Sequence, residues 1–201
     1  MSKVTCGIAM SVDGFVAGPN QTRDNPLGEI VGDRLHTWMF EEPEANAAEI
    51  AKVTSGGAYV MGRNMFGPIR GEWNPEEEWT GWWGEDPPYH APVFVLTHHP
   101  REPVVMKGGT TFYFVTDGIE AALAEAKAAA GDRDVAIAGG ASTVNQYLAA
   151  GLIDELDLHI APVLVGEGER LFTGVGNLDL ERTRVRATGL VTHVSYRFPS
   201  R

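Results

Sequence analysis

Residues Asp134 to Phe172 read DVAIAGGASTVNQYLAAGLIDELDLHIAPVLVGEGERLF, and the fold turns on how this stretch is parsed. Val135 to Ala138 is a short apolar run stopped by glycine, the pattern of a buried strand. Gly139 and Gly140 end it, and Ala141, Ser142 and Thr143 begin a helical segment that stops near Gly151. A second strand-like run, Leu156 to Val165, leads into Gly166-Glu167-Gly168. A strand, a glycine turn and a helix start together make an anion cradle. The helix N-terminus offers unpaired N–H groups and partial positive charge, and glycine lets a phosphate approach the backbone. The dinucleotide fingerprint G-x-G-x-x-G has spaced glycines; here the two are adjacent, followed by Ser142 and Thr143. The stretch therefore points to a phosphate-bearing ligand on an α/β sheet that is not an ordinary Rossmann domain, with a plain tight turn as the alternative.

Composition narrows the ligand. The chain of 201 residues fits one domain, expected to span 1–201, and 43% hydrophobic with 21% charged residues is ordinary for a globular protein. Its net charge is -11 and its lysines are Lys3, Lys52, Lys107 and Lys127 only. Nucleic acid and anionic membrane need clustered positive charge, so neither is an expected partner. Any anionic ligand must meet a local cation, which raises the interest of each arginine near a glycine turn. The single cysteine, Cys6, lies in an alternating apolar run and reads as a buried structural thiol; internal disulfides and cysteine-rich metal sites are excluded. The segment MSKVTCGIAM is too short and polar for a signal peptide, and no apolar run approaches about 18 residues, so a cytoplasmic location is expected.

Outward from the opening stretch, other strand-to-turn units follow. Lys3 to Met10 alternates as a first strand and ends in the Ser11-to-Gly18 turn region. Asp33 is expected to cap a helix containing Leu35, Trp38 and Met39, and an Ala- and Glu-rich helix over 44–54 stops at Gly56-Gly57. Ala58 to Met61 is a strand that turns through Gly62-Arg63-Asn64 into a helix. Val93 to Thr97 is another, ending at Thr97-His98, and Phe112 to Val115 precedes an alanine-rich helix over Ile119 to Ala130. From Glu181 two alternating runs joined around Gly189 predict a terminal β-hairpin. Together these predict a mixed, mostly parallel α/β sheet with helices on both faces and an antiparallel hairpin at its end. Between about 67 and 92 periodicity is lost while Trp73, Trp79, Trp82 and Trp83 accumulate. This Trp- and Pro-rich insertion reads as an ordered loop. It either covers a ligand or packs on the body or on a second subunit.

Three turns, at Gly62-Arg63, Thr97-His98 and Gly139-Gly140, fall at the carboxyl ends of strands, where ligands of open α/β sheets bind. Arg63 can hold a phosphate monoester bidentately, and Thr97 with His98 can add donors; pairing of Arg63 with an acid and solvation of His98 are the alternatives. The histidines show no H-E-x-x-H spacing, there is no G-x-S-x-G elbow and no P-loop, so neither a metal nor a hydrolase is expected.

These residues, in this order, resemble the dihydrofolate reductase-like superfamily. They are most similar to the stand-alone relatives of the reductase domain of the bacterial riboflavin-biosynthesis deaminase–reductase, the RibD C-terminal domain family. The matching pieces are Ser11-Val12-Asp13-Gly14-Phe15-Val16-Ala17, Gly62-Arg63 with Phe66, Val95-Leu96-Thr97 and Gly139-Gly140-Ala141-Ser142. Leu152 to Leu156, Pro162 to Gly168 and Leu171-Phe172 complete the set. The resemblance implies a three-layer fold and a cofactor, NADPH. Gly139 and Gly140, often joined by a cis peptide in the family, would lie against its pyrophosphate, with Ala141, Ser142 and Thr143 as helix-start donors. Gly62, Arg63 and Asn64 would hold adenosine-side phosphates, Thr97 and His98 the ribose 2′-phosphate, and Ala9, Met10 and Val16 would flank the nicotinamide. Ser11, Asp13 and Phe15 would border a substrate pocket, with Trp38 and Phe66 opposite and Leu164, Gly166, Glu167 and Gly168 closing it.

The implied activity is hydride transfer to a C=N or C=O of a small heterocyclic or ribosyl substrate, as in reduction of 5-amino-6-(5-phosphoribosylamino)uracil, by a homodimer. Asp13, Asp33 or water would supply the proton. Folate reduction is an alternative, opposed by Leu35 at the position where folate reductases carry an acid ahead of Trp-x-Phe, although a one-turn register shift would bring in Asp33. A nucleotide-binding module without turnover is another. The H-x-E and P-C-x-x-C zinc signature of the fused deaminase is absent.

Overall fold

The computed structural model describes residues 2–67, 71–74 and 78–199, so parts of the expected insertion, at 68–70 and 75–77, lie outside the described residues. The strands are β1 (Val4–Ser11), β2 (Phe15–Ala17), β3 (Ala58–Gly62), β4 (Pro92–Leu96), β5 (Val104–Val105), β6 (Thr111–Val115), β7 (Val135–Gly139), β8 (Glu155–Ala161), β9 (Glu169–Arg170), β10 (Glu181–Ala187) and β11 (Thr192–Arg197). The helices are α1 (Thr37–Glu41), α2 (Ala47–Val53), α3 (Arg63–Phe66), α4 (Ile119–Ala130) and α5 (Ala141–Ala149). Nine strands form one sheet in the order β10-β11-β8-β1-β7-β3-β4-β6-β5, and β2 pairs with β9 apart from it. From β8 to β6 every pairing is parallel; β10, β11 and β5 are antiparallel to their neighbours.

Alternation along β3 shows why both faces are covered. Ala58 and Val60 point into a cluster with α4 and α5, through Leu123, Ala126, Val144 and Leu148. Tyr59 and Met61 point the other way, into a second cluster with Phe66, Tyr89 and Phe112. Strands buried on both sides carry apolar residues at consecutive positions, which is what the short runs in the sequence signalled. The second face is roofed by α1, α2 and the tryptophan-rich segment. Trp73, Trp79 and Trp83 pack on that cluster, and two indole N–H groups are tied to the body, Trp73 to the His99 carbonyl at 2.8 Å and Trp79 to the Phe66 carbonyl at 2.8 Å. Of the two readings of the insertion, packing on the body describes these tryptophans.

Two boundaries differ from the sequence expectation. The first is that Asp33 does not cap α1: the helix starts at Thr37 behind His36, and the Asp33 carbonyl accepts from His36 N and Thr37 Oγ1 in a preceding turn. The second is the run from Leu156, which leaves the sheet at Ala161. Pro162 has no N–H for the ladder, and Val163 N closes back on the Ala161 carbonyl at 2.8 Å, so 162–168 is loop.

Between α1, β8 and β11 lies a buried polar pair. His159 Nδ1 and His193 Nδ1 are 2.8 Å apart, and His193 Nε2 is 2.9 Å from Asn46 Oδ1. The Asn46 amide already donates to the Trp38 and Glu42 carbonyls and Arg186 also donates to Oδ1, so that oxygen is an acceptor. His193 therefore donates through Nε2 and accepts at Nδ1, which makes His159 Nδ1 the donor. Both rings are neutral, and burial, followed by the neighbouring His193, pushes His159 down to about 4. A histidine depressed in the folded state leaves the unfolded chain binding more protons, so stability is present above the ordinary value of 6.5 and falls as pH drops toward 4. The melting temperature should decline across that interval, and His159→Gln, which hydrogen-bonds without titrating, should flatten the decline; a melt curve unchanged by the substitution would contradict this.

Candidate functional site

The three turns singled out in the sequence end β3, β4 and β7, which are adjacent and parallel, so they stand side by side on one edge of the sheet. They also touch. A Cβ built on Gly62 would overlap Thr143 Oγ1 of α5, and Arg63 Nη1 donates to Thr97 Oγ1 at 3.2 Å. Glycine at 62 is thus required by the close approach of α5, which draws the β3 turn and the helix start together.

The β7–α5 turn fits an anion. Gly139-Gly140 is joined by a cis peptide, as the family resemblance implies. Gly140 caps α5 in extended conformation without any side-chain hydrogen bond to the first turn, and a Cβ built on Gly140 would meet nothing within 4 Å. The first-turn N–H groups of a nine-residue helix therefore sit behind open space. Ser142 is exposed at this turn, while Ala141 and Thr143 are buried and shape it.

At the β3 and β4 ends the cationic side is more elaborate than the sequence suggested. The Arg63 guanidinium lies 3.2 Å over the Trp73 ring, and Arg101, absent from the sequence-based set, stands 4.9 Å over the same ring. Arg63 Nε and Nη2 and Arg101 Nη1 are buried with no hydrogen-bond partner. Burial, then the charge of Arg101, pushes Arg63 down to about 10, and burial lowers Arg101; both remain cationic at neutral pH. Thr97 is buried and engaged with Arg63 and with His99 N at 3.1 Å, whereas His98 is exposed and Asn64 half-buried. The signal for Arg101 was in the sequence as a further arginine three residues beyond His98, but only packing brings it to Arg63.

Toward β1, Ala9, Met10 and Val16 are buried apolar groups, Met10 and Val16 in one core cluster and Ala9 in another with Phe15 and Leu35. Asp13 follows, and its environment corrects its expected role. Its carboxylate accepts Ser11 Oγ at 2.6 Å, Val165 N at 3.1 Å and Gly166 N at 2.7 Å. The Ser11 hydrogen bond, aided by those from Val165 and Gly166, lowers it to about 2. A carboxylate so held is ionised and a poor proton donor. It instead clamps the 11–18 segment to the 164–168 loop, beside the β2–β9 pairing of Phe15 with Arg170. Ser11 is fully buried in the same clamp, with Phe15 N donating to its Oγ at 2.9 Å. Gly168, at φ +128, approaches Ala17 so closely that a Cβ would overlap the Ala17 carbonyl; Leu164, Gly166 and Glu167 are exposed around it.

Three other expected residues differ. Trp38 is 1% exposed, in tilted contact with His159 and edge-on contact with His193, with its N–H on the Leu35 carbonyl, so it is core. Phe66 is 0% exposed inside the aromatic cluster with Trp73, Phe112 and Phe114. Asp33 is exposed, whereas Leu35 is the inward residue, packed with Ala9, Phe15 and Val165. A cavity of about 390 Å³ lies on the sheet face between α2 and the aromatic segment, reaching Met65 and Ala138 near the glycine pair. The Asp13 clamp does not line it. The unpartnered guanidinium nitrogens of Arg63 and Arg101 lie at the strand ends and outside the lining of this cavity, so the candidate site is placed at the strand ends.

The RibD C-terminal domain family model matches residues 2–194. The chain belongs to that family. Among curated proteins, YyaP of Bacillus subtilis (strain 168) is 26% identical over 196 residues, covering 94% of this chain and 92% of YyaP. A solved structure from Shewanella sp. PV-4 superposes with a TM-score of 0.66 at 23% identity, over 98% of this chain and 99% of the other. The diaminohydroxyphosphoribosylaminopyrimidine deaminase/5-amino-6-(5-phosphoribosylamino)uracil reductase of Thermotoga maritima does so with a TM-score of 0.60 at 12% identity. The match covers 98% of this chain and 57% of that one, so the family domain spans just over half the Thermotoga protein. These likenesses show the dihydrofolate reductase-like fold of the RibD reductase domain.

Two outcomes follow from the geometry. Asp13→Ala should lower the efficiency of any reaction at this site by roughly tenfold or more through loop misplacement while leaving the shape of the pH–rate profile unchanged; a shifted acid limb would mean that Asp13 titrates. Gly62→Ala should destabilise the fold by about 1–3 kcal/mol in thermal melts, and the pair Gly62→Ala with Thr143→Ala should recover much of that loss, since the clash is with one hydroxyl.

Proposed function

We propose that this chain is an NADPH-dependent reductase that delivers hydride to a C=N or C=O carbon of a small heterocyclic or ribosyl substrate, with 5-amino-6-(5-phosphoribosylamino)uracil as the first candidate. The observation that carries the reading is a row along one sheet edge that begins with donors and ends in apolar groups. It runs from Arg63 and Thr97, through the Gly139-Gly140 turn and the start of α5, to Ala9 and Met10 on β1. From β4 to β1 is three strand spacings, roughly 14 Å, which suits a ligand stretched with phosphates at one end and an apolar-flanked ring at the other. Membership of the RibD C-terminal domain family and the reductase activity in the Thermotoga protein's name support the same reaction class.

NADPH, when bound, supplies the hydride. This chain's residues orient and shield. The first-turn N–H groups of α5 would hold the pyrophosphate of NADPH, Ala9, Met10 and Val16 would keep water from its nicotinamide, and the Asp13 clamp, which fixes the Leu164-to-Gly168 loop, would set that loop against the substrate. Because Asp13 is ionised and Leu35 fills the inward position on the α1 approach, we assign the proton that completes the reduction to water rather than to either of these positions. The same two facts disfavour folate reduction, which needs an acid where Leu35 lies.

Loss of NADPH absorbance with 5-amino-6-(5-phosphoribosylamino)uracil, and none above background with dihydrofolate, is the expected result. Turnover of dihydrofolate alone would replace the substrate class. Saturable NADPH binding without turnover of any carbonyl or imine substrate in a screen would replace the enzyme with a nucleotide-binding module.

A further inference from the structure

The 165–172 segment is tied down at both ends. At its start, Val165 N and Gly166 N meet the Asp13 carboxylate. At its far end the tie is Asn145, in the second turn of α5, whose side chain reaches out of the helix. Its amide N–H donates to the Arg170 carbonyl at 3.0 Å, and its Oδ1 accepts from Phe172 N at 2.7 Å. The neighbouring Gln146 instead folds back on the Ser142 carbonyl of its own helix at 3.2 Å. Asparagine is a poor residue for a helix interior, so α5 carries a propensity cost here that these outside contacts offset.

Between those ties the segment has slight support of its own. β9 is two residues long and pairs with the three of β2 in a ribbon separate from the nine-stranded sheet, and a two-stranded ribbon is marginal by itself. Leu171 anchors it to the core, 2% exposed and with its N–H on the Gly14 carbonyl at 2.9 Å. Phe172 follows at φ +65 and is 39% exposed. A bulky side chain in the left-handed region is strained, and such a residue persists only where its surroundings over-determine it. The bond from Phe172 N to Asn145 supplies that hold. Without it the chain after Leu171 would relax toward ordinary φ and carry the ribbon with it.

Asn145 also stands one helical turn from Ser142, at the exposed start of α5 where the pyrophosphate would bind. The helix that would cradle the cofactor and the loop that would close on the substrate are joined by this side chain. We infer that Asn145 is a positioning residue of the reaction: acting through Arg170 and Phe172, it sets the 165–172 loop against the cofactor helix and thereby governs substrate affinity. This deepens the reductase reading of the site and rests on it.

The test compares wild type with Asn145→Ala and Asn145→Asp on the full chain, by steady-state kinetics, NADPH titration and amide hydrogen exchange. Asn145→Ala should raise the KM for 5-amino-6-(5-phosphoribosylamino)uracil about tenfold with kcat changed less than about threefold, because the loop's hold on the substrate weakens alike in ground and transition states. NADPH affinity should stay within about twofold and Tm within about 4 °C, since alanine is the better helix former and α5 itself is intact. Exchange at Leu171 and Phe172 should quicken by at least about tenfold, while Tyr147 and Leu148 of α5 keep their wild-type rates. Asn145→Asp, which retains the acceptor for Phe172 N and loses the donor to the Arg170 carbonyl, should fall between. Unchanged exchange at Leu171 and Phe172 overturns the inference, as does a loosened loop with an unaltered KM, or a loss of NADPH affinity and α5 protection that accompanies the rise in KM. Each of these leaves the reductase reading intact. Wild-type protein that turns over no substrate would sink the proposed function, and the exchange rates would then decide by themselves whether Asn145 places the loop.

Discussion

The parallel register of β1, β7, β3 and β4 is the constraint on which the site depends. Hydrogen bonding neighbouring strands in one direction delivers their carboxyl ends to a single edge, and each chain must leave that edge through a turn whose backbone groups have lost their ladder partners. Those turns are where Gly62-Arg63, Thr97-His98 and Gly139-Gly140 fall. Because α5 packs tightly over β3, the turns are drawn into contact, and the glycine at 62 is the residue that lets the contact form. Had any of these strands run the other way, its polar turn would have faced the opposite edge.

Beyond that edge the two halves of the molecule do different physical work. On the β1 side, buried apolar groups and an ionised, fully engaged carboxylate make a rigid wall. Asp13 resembles an acid catalyst when met in a turn, but three hydrogen bonds to its charged form remove it from that role and make it a tie between loops. On the β4 side, the polar groups are left incompletely satisfied: guanidinium nitrogens lie buried without partners above an indole. Satisfied groups hold a structure together, and buried charged groups without partners are the exceptions that call for an explanation.

The tryptophan-rich segment links those halves to the rest of the fold. Its indoles cover the second face of β3 and β6, and its backbone and ring atoms position Arg101 and Arg63. In place of a long helix after β3, α3 lasts only from Arg63 to Phe66, and aromatic surface supplies the burial that a helix would have given.

Most of the architecture was legible in the residues. Short apolar runs located β3, β4, β6 and β7, with glycine at the boundaries of β3 and β7. The alanine-rich run matched α4 from Ile119 to Ala130, and alternation around Gly189 matched the terminal hairpin, because each is a local periodicity that burial on one or two faces imposes. The strand ends and the glycine pair were legible for the same reason: a turn is a local event. What escaped was everything decided by distance along the chain. The β2–β9 pairing joins residues far apart in sequence. The burial of Trp38 against His159 and His193, the neutral state of that pair and the clamped Asp13 each depend on partners more than a hundred residues away. Arg101 could be seen only as one more arginine in a loop. The order of elements, the edge on which the turns lie and the family were all set at the level of the residues, since hydrophobic period and turn chemistry are written position by position. Which polar groups are satisfied and which are not emerged only on folding, because the energy of a buried charge belongs to its surroundings rather than to its place in the chain.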